Sequence, residues 1–335
     1  MSKNKLTVVI PTYNRPQFLP RALDSLYKQL VPVSIIVADD GDNPQETEGV
    51  VHACIPDATY IHTGHFDHAW PNWRAGAKAA TSEFVSWLQD DDEVRPNYST
   101  RIIESFSRFP DASVWYGRLV ISIGDGMAVW NCGNGPWVPV DFKNGKPWSW
   151  AQGSVLASSA YFASWSLAPA FAFRNGASFR SALDRMPENC DIFVERLIPA
   201  MTANGGPFIS DPVLAGFWNQ HDDHLSTKQH KDQPRQTKIL IQELDRLLDD
   251  MRPDPNGLSW EDCLESWARL IPTQVVLEWI GQIDTTVKEG GPSRHAKTAQ
   301  RALIKSLKGR INLVCGPRKW WNTAVHWVAN KMTGA

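Results

Sequence analysis

Three adjacent carboxylates, Asp90, Asp91 and Asp92, close the apolar run of FVSWLQDDDEVRP (residues 84–96), with Glu93 behind them. Like charges a few Å apart repel, and each loses hydration if it is partly buried. Something positive belongs beside them. Mg²⁺ or Mn²⁺ would answer, because either takes oxygen ligands and keeps positions open for phosphate. A solvated acidic turn is the plainer alternative. Two further polar clusters follow apolar runs: PTYNR (11–15) after LTVVI, and the acids of ADDGD (38–42) after SIIV. Asp39 and Asp40 alone would read as a turn. HTGHFDH gathers His62, His65 and His68. It lacks the paired spacing of a structural zinc site and reads better as an active-site loop.

Such residues need elements to aim them. LTVVI (6–10), SIIVADD (34–40), ATYIHT and FVSWL read as strands, the first two as buried β-branched runs. QFLPRALDSLYKQ has apolar residues at 19, 22, 23, 26 and 27, which is helical spacing. NPQETEGVVHACI, WPNWRAGAKAATS and PNYSTRIIESFSRF read as further helices, the last with Pro in its first turn. Strands alternating with helices predict a doubly wound, mainly parallel sheet. Ligands bind such sheets beyond the carboxyl ends of the strands, where all three polar clusters fall. From about 118 to 170 the pattern loosens into Gly-, Pro- and Trp-rich segments that read as loops. MPENCDIFVERLIPAMTANGG reads as a helix ending at Gly205. After about 236 the period is helical again, and Ser259 heads SWEDCLESWARLI as an N-cap.

The ordered series TVVIPTYNR, IIVADDGD, FVSWLQDDDEVRP, LAPAFAFR (167–174), ENCDIFVERL and WNQHDDHLS (218–226) resembles the family 2 glycosyltransferases of the glycosyltransferase A fold. The resemblance covers roughly residues 5–228. It implies an α/β, Rossmann-like catalytic domain over 1–230 that binds a nucleotide-sugar, with a helical C-terminal appendage over 236–335. Pro11, Thr12, Tyr13 and Arg15 match the loop that holds the nucleotide, and Asp40 matches the residue that contacts the base. A carboxylate accepting from a pyrimidine N3–H makes chemical sense of that. Asp90 falls at a ribose or metal contact. Counting back from Pro96, Asp91 falls at the metal ligand, and Gln89 stands where the family often has another Asp. Arg74 could face the pyrophosphate. Asp191 matches the base that takes the acceptor's proton, with Glu188 as its rival. His221, with Ser226, matches a His-x4-Ser ending that closes over the diphosphate and can bind the metal.

Composition narrows the partners. Net charge over 335 residues is −2, which alone suggests no nucleic acid. From Arg294 onward there are nine Lys or Arg and no acid, so residues 1–293 carry −11. Arg294, Lys297, Arg301, Lys305 and Lys308 recur at helical steps, with Ala296, Ala299, Leu303 and Leu307 on another face. RKWWNTAVHWVANKM then groups Trp321, Ala324, Val325, Val328 and Met332. Basic, Trp-bearing helices suit an anionic membrane surface through 293–335; helices packed on the catalytic part with a solvated basic side are the alternative. Six of sixteen tryptophans (115, 130, 137, 148, 150, 165) fall in the loop-like stretch, where flat faces suit sugar rings or a lipid or protein partner. Five scattered cysteines, no span of about 20 apolar residues, and an N-terminal apolar run too short for a signal peptide point to the cytoplasm, with a peripheral membrane contact.

The reading is a Mn²⁺- or Mg²⁺-dependent inverting transferase moving a sugar from a UDP-sugar to a hydroxyl of a saccharide or lipid-linked saccharide, as in surface polysaccharide synthesis. A non-catalytic saccharide-binding or scaffold protein is one rival. A metal-dependent sugar nucleotidyltransferase is another, but it should show a Gly-rich phosphate loop after the first strand, and PTYNRP is not one.

Overall fold

Apolar runs that end in polar clusters form strands, and the 3.6-periodic segments between them form helices. A computed structural model of the chain describes residues 4–123, 126–130, 148–150, 168–191, 193–203, 207–219, 232–251, 258–269 and 273–315. β1 (Leu6–Thr12), α1 (Leu19–Tyr27), β2 (Ser34–Asp39), α2 (Pro44–Cys54), β3 (Thr59–His62), α3 (Ala69–Ala79) and β4 (Phe84–Trp87) alternate as expected. β1 is buried along its whole length, as a strand covered on both faces must be. The apolar stripe of α1 (Leu19, Ala22, Leu23, Leu26) faces the core. At Gly76 of α3 an added Cβ would lie 2.4 Å from Val9 Cγ1, so only hydrogen lets this helix settle on β1.

β5 (Glu93–Val94), α4 (Tyr98–Arg108), β6 (Val114–Ile123), β7 (Gly126–Trp130), β8 (Trp148–Trp150), β9 (Phe171–Arg174), α5 (Ala177–Arg185), α6 (Val194–Ala203) and β10 (Phe208–Asn219) follow. The sheet runs β3-β2-β1-β4-β9-β6-β10-β5, with β7 on β6 and β8 on β10. It is parallel from β3 to β4 and mixed beyond, because β9 runs antiparallel to both β4 and β6. Parallel register sets Thr12 opposite Asp39 and Asp39 opposite His62. The carboxyl ends of β1, β2 and β3 therefore share one edge. This is the α/β glycosyltransferase A-like fold.

Two local expectations are corrected. Part of the loop-like stretch is β-structure: Trp115 lies in β6, fully buried and edge-on to Tyr98, while Trp130, Trp148 and Trp150 occupy strand positions in β7 and β8. Aromatic residues favour strands, and pairing across long sequence distances is invisible to local periodicity. Trp137 and Trp165 lie outside the described residues. The helix read from MPENCDIFVERL begins only at Val194. Met186, before Pro187, is extended (φ −61°, ψ 129°), as a residue preceding proline prefers, and Asp191 lies ahead of the helix rather than on it.

α7 (Gln233–Asp249), α8 (Trp260–Ala268), α9 (Thr273–Gly290) and α10 (Arg294–Cys315) complete the described chain. Ser259 caps α8 by accepting from the Asp262 N–H. Leu240 and Leu244 of α7, Trp279 of α9, and Ala296, Ala299 and Leu303 of α10 join one apolar cluster with Val9, Trp87 and Phe173. The apolar side of α10 over 294–308 is thus inside the protein and cannot enter a bilayer. Arg294, Lys297, Arg301, Lys305 and Lys308 are all exposed. The Trp321–Met332 face lies outside the described residues, among which no helix is long and apolar enough to cross a membrane.

Candidate active site

The acidic triplet lies just past β4, and all three side chains are buried. Its positive partner comes from the loop after β1. Arg15 Nη2 bonds Asp90 Oδ1 at 2.6 Å and Nη1 bonds Asp91 Oδ2 at 3.0 Å. Thr12 Oγ1 donates to the other Asp90 oxygen at 2.7 Å. Arg21 donates to the Asp91 carbonyl and pairs with Glu93. From the end of β10, Asn219 donates its backbone N–H to Asp92 Oδ1 (2.9 Å) and its amide to the Asp91 carbonyl. Burial pushes Asp90 up to about 7 despite the pull of Arg15, and raises Asp92 well above the usual carboxylate range. Asp92 Oδ2 is buried with no hydrogen-bond partner among the described residues.

Glu195 of α6 is a fourth acid here, half-buried, which the sequence reading had not singled out. It accepts from the Ala168 N–H at 2.6 Å, and burial raises it to about 7. Gln89 Nε2 lies 3.4 Å from Glu195 Oε1. An amide at 89 therefore donates where a carboxylate would face another carboxylate, which accounts for the Gln in that place.

One asparagine joins the ends of the first two strands. Asn72 of α3 donates to Asp40 Oδ1 (2.9 Å), the Ala38 carbonyl and the Thr12 carbonyl, tying the ends of β1 and β2 together. Asp40 is 5% exposed, and burial raises it to about 7. Asp39 is structural: its oxygens accept from the Gly41 N–H and the Tyr60 hydroxyl. Pro11 is buried opposite Ala38, while Tyr13 stands out 40% exposed, its ring 5.9 Å from that of His65. Pro11, Thr12, Tyr13, Arg15, Asp40, Asp90 and Asp91 therefore gather beyond the carboxyl ends of β1, β2 and β4.

Asp191 sits at the amino end of α3, where the helix dipole favours an anion. Its Oδ1 accepts from the Ala69 N–H and its Oδ2 pairs with His68 Nδ1, both at 2.8 Å. Gln236, buried in α7, accepts from the Asp191 N–H and donates to the Asn189 carbonyl, each at 2.9 Å. A residue assigned to the appendage thus holds the loop of the candidate base, a contact nothing local in the sequence could reveal. Glu188 is 71% exposed and paired with Arg74, so neither stands with the acids. His221 and Ser226 lie outside the described residues. His65 and His68 point to different partners, and among the described residues no three metal-ligating side chains converge.

That donor set still fits a hard divalent cation in kind. It is all oxygen, and Asp92 Oδ2 is a buried carboxylate oxygen without a partner beside Asp91. Mg²⁺ sites of this type use one or two carboxylates and take their remaining ligands from phosphate and water.

Comparison with known proteins agrees with this architecture. The sequence model described as Glycosyl transferase family 2 matches residues 7–152. An uncharacterized glycosyltransferase of Nostoc is 27% identical over 161 residues, 46% of this chain and 50% of that protein. The GalNAc(5)-diNAcBac-PP-undecaprenol beta-1,3-glucosyltransferase of Campylobacter jejuni is 33% identical over 95 residues, 27% of this chain and 30% of that protein. The matches span half or less of the length of these curated relatives. A crystal structure of S. aureus TarS in complex with UDP-GlcNAc superposes with a TM-score of 0.61 at 13% identity, covering 90% of this chain and 89% of that one, a likeness of fold.

Proposed function

Starting from a chain whose residues 7–152 match the family 2 glycosyltransferase model, we propose that it transfers a sugar, with inversion, from a UDP-sugar to a hydroxyl of a saccharide or lipid-linked saccharide. One observation supports the reading: Thr12 bonds Asp90 directly and Asp40 through Asn72, so the acids proposed for the phosphate side and the base side belong to one hydrogen-bonded network. Asp40 accepts from the base N–H, Tyr13 offers a ring face beside it, and Asp90 faces the ribose. Asp191 serves the acceptor side. There the acceptor hydroxyl loses its proton as its oxygen attacks the anomeric carbon, and the bond to the diphosphate breaks with its electron pair leaving on phosphate. Asp91 and Asp92 would hold Mn²⁺ or Mg²⁺, which when bound supplies positive charge for that leaving group. The whole reading assigns 1–230 to nucleotide-sugar chemistry and 236–335 to its support.

UDP-sugars with Mn²⁺ should release UDP in the presence of an acceptor panel, and EDTA should suppress release. Asp91→Ala should weaken metal-dependent UDP binding, while Asp191→Asn should keep UDP binding and abolish transfer. No release from any nucleotide sugar would return the chain to the saccharide-binding alternative; pyrophosphate release from a nucleoside triphosphate and a sugar phosphate would favour the nucleotidyltransferase. The family match supports transfer over both. The exposed basic face of α10 supports a contact with an anionic membrane surface, electrostatic rather than inserted, on the cytoplasmic side.

A further inference from the structure

We propose that His68 Nε2, not an oxygen of Asp191, is the atom that takes the acceptor's proton, with Asp191 acting through it as a positioning residue. This rests on the transferase reading above and names the proton acceptor within it.

Four observations carry it. Both Asp191 oxygens are engaged, Oδ1 by the Ala69 N–H and Oδ2 by His68, with Gln236 Nε2 a further 3.5 Å from Oδ2. The Asp191 side chain is 12% exposed and that of His68 27%, so the imidazole is the more accessible member of the pair. An ionised carboxylate only accepts, so His68 Nδ1 carries the proton and, in the neutral ring, Nε2 carries the lone pair. Nε2 has no hydrogen-bond partner among the described residues. The ring is also fixed from behind. His68 is the residue before α3, extended at φ −135° and ψ 148°, and the first N–H of that helix bonds the same carboxylate.

The charged groups around the pair come from three directions. Asp191 enters from the loop before α6, and Asp67 precedes His68 in its own loop. From α7 come Asp232 and Arg235, which neutralise one another through a 2.6 Å ion pair. Asp191, 2.8 Å away, is the carboxylate in direct contact with the ring. In the step, the acceptor O–H bond breaks and its proton forms a bond to Nε2. The oxygen's electron pair forms the new bond to the anomeric carbon, and the old bond's pair departs with the nucleoside diphosphate.

Asparagine separates a chemical from a structural role, because its Nδ2 can replace Nδ1 as donor to Asp191 but nothing replaces Nε2. His68→Asn, His68→Ala and Asp191→Asn would be compared in the full chain by kcat, acceptor KM, UDP affinity and melting temperature. His68→Asn and His68→Ala should each lose about 100-fold or more in kcat, His68→Asn with UDP affinity and melting temperature near wild type. Asp191→Asn should likewise lose transfer, with acceptor KM and UDP affinity near wild type. Near-wild-type kcat in His68→Asn beside an inactive Asp191→Asn would overturn the proposal and make the carboxylate itself the base. Loss of UDP binding in His68→Asn would also overturn it, showing a structural post. A wild-type chain that releases UDP from no sugar nucleotide would instead sink the transferase reading on which the proposal stands.

Discussion

As the proposed base contact, Asp40 is a carboxylate that burial raises to about 7, so it changes charge close to neutral pH. Accepting from a base N–H requires the ionised form. UDP affinity should therefore strengthen as pH rises from about 6 to about 8, and Asp40→Asn should flatten that slope. Calorimetric titration of UDP at each pH checks this; a flat wild-type profile would count against Asp40 as the base contact. Gln89 carries the second residue-scale prediction. Gln89→Glu would set a new carboxylate beside Glu195, destabilising the fold by about 1–3 kcal/mol above neutrality. Below about pH 6, where Glu195 is protonated and can donate, the penalty should shrink, which thermal melts at two pH values would read. The types and order of Thr12, Arg15, Asp40 and Asp90 were legible in the sequence because each closes a local strand. Glu195 and Gln236 were not, since their meaning comes only from what lies across the site.

At the scale of elements, β5 is the fragile one. Two residues long, it lies directly after the triplet and pairs with β10 at Gly216, where a Cβ would come within 2.2 Å of the Glu93 carbonyl oxygen. Gly216→Ala should force β5 away from β10 and loosen Asp92 from Asn219. The expected loss is about 1–3 kcal/mol in urea denaturation, with weakened UDP binding; unchanged values in both would show that the two strands yield freely. β1, β2 and β4 were readable because a buried parallel strand announces itself as a β-branched run. β6 to β10 were not, because their pairings span long loops and antiparallel returns. The start of α6 was misplaced because the Asp191 backbone and carboxylate are bonded by Gln236 and the Ala69 N–H, distant partners that hold this loop ahead of the helix.

Over the whole molecule, the buried and half-buried acids set the response to pH. Asp40, Asp90, Asp92 and Glu195 all bind protons more tightly folded than unfolded. Between about pH 4 and about pH 7 the unfolded chain has released protons that the folded chain keeps, so the contribution of these groups to stability falls as pH rises through that window. Melting temperatures of the ligand-free protein should decline from about pH 5 to about pH 7, less steeply with Mg²⁺ and UDP present. The four C-terminal helices share the core of the sheet, so Leu303→Ala should cost about 2–5 kcal/mol of global stability, in one transition rather than a separate melting of the appendage. Two resolved transitions would show that the helices fold apart.

The bond from Gln236 to the Asp191 loop makes the helices after β10 part of the candidate site rather than an addition to it. The strands that carry the acids come first in the chain, and the residue that fixes the candidate base comes only after them. Gln236→Ala should therefore lower transfer from within α7 while leaving the acids of the first strands, and UDP binding, near wild type.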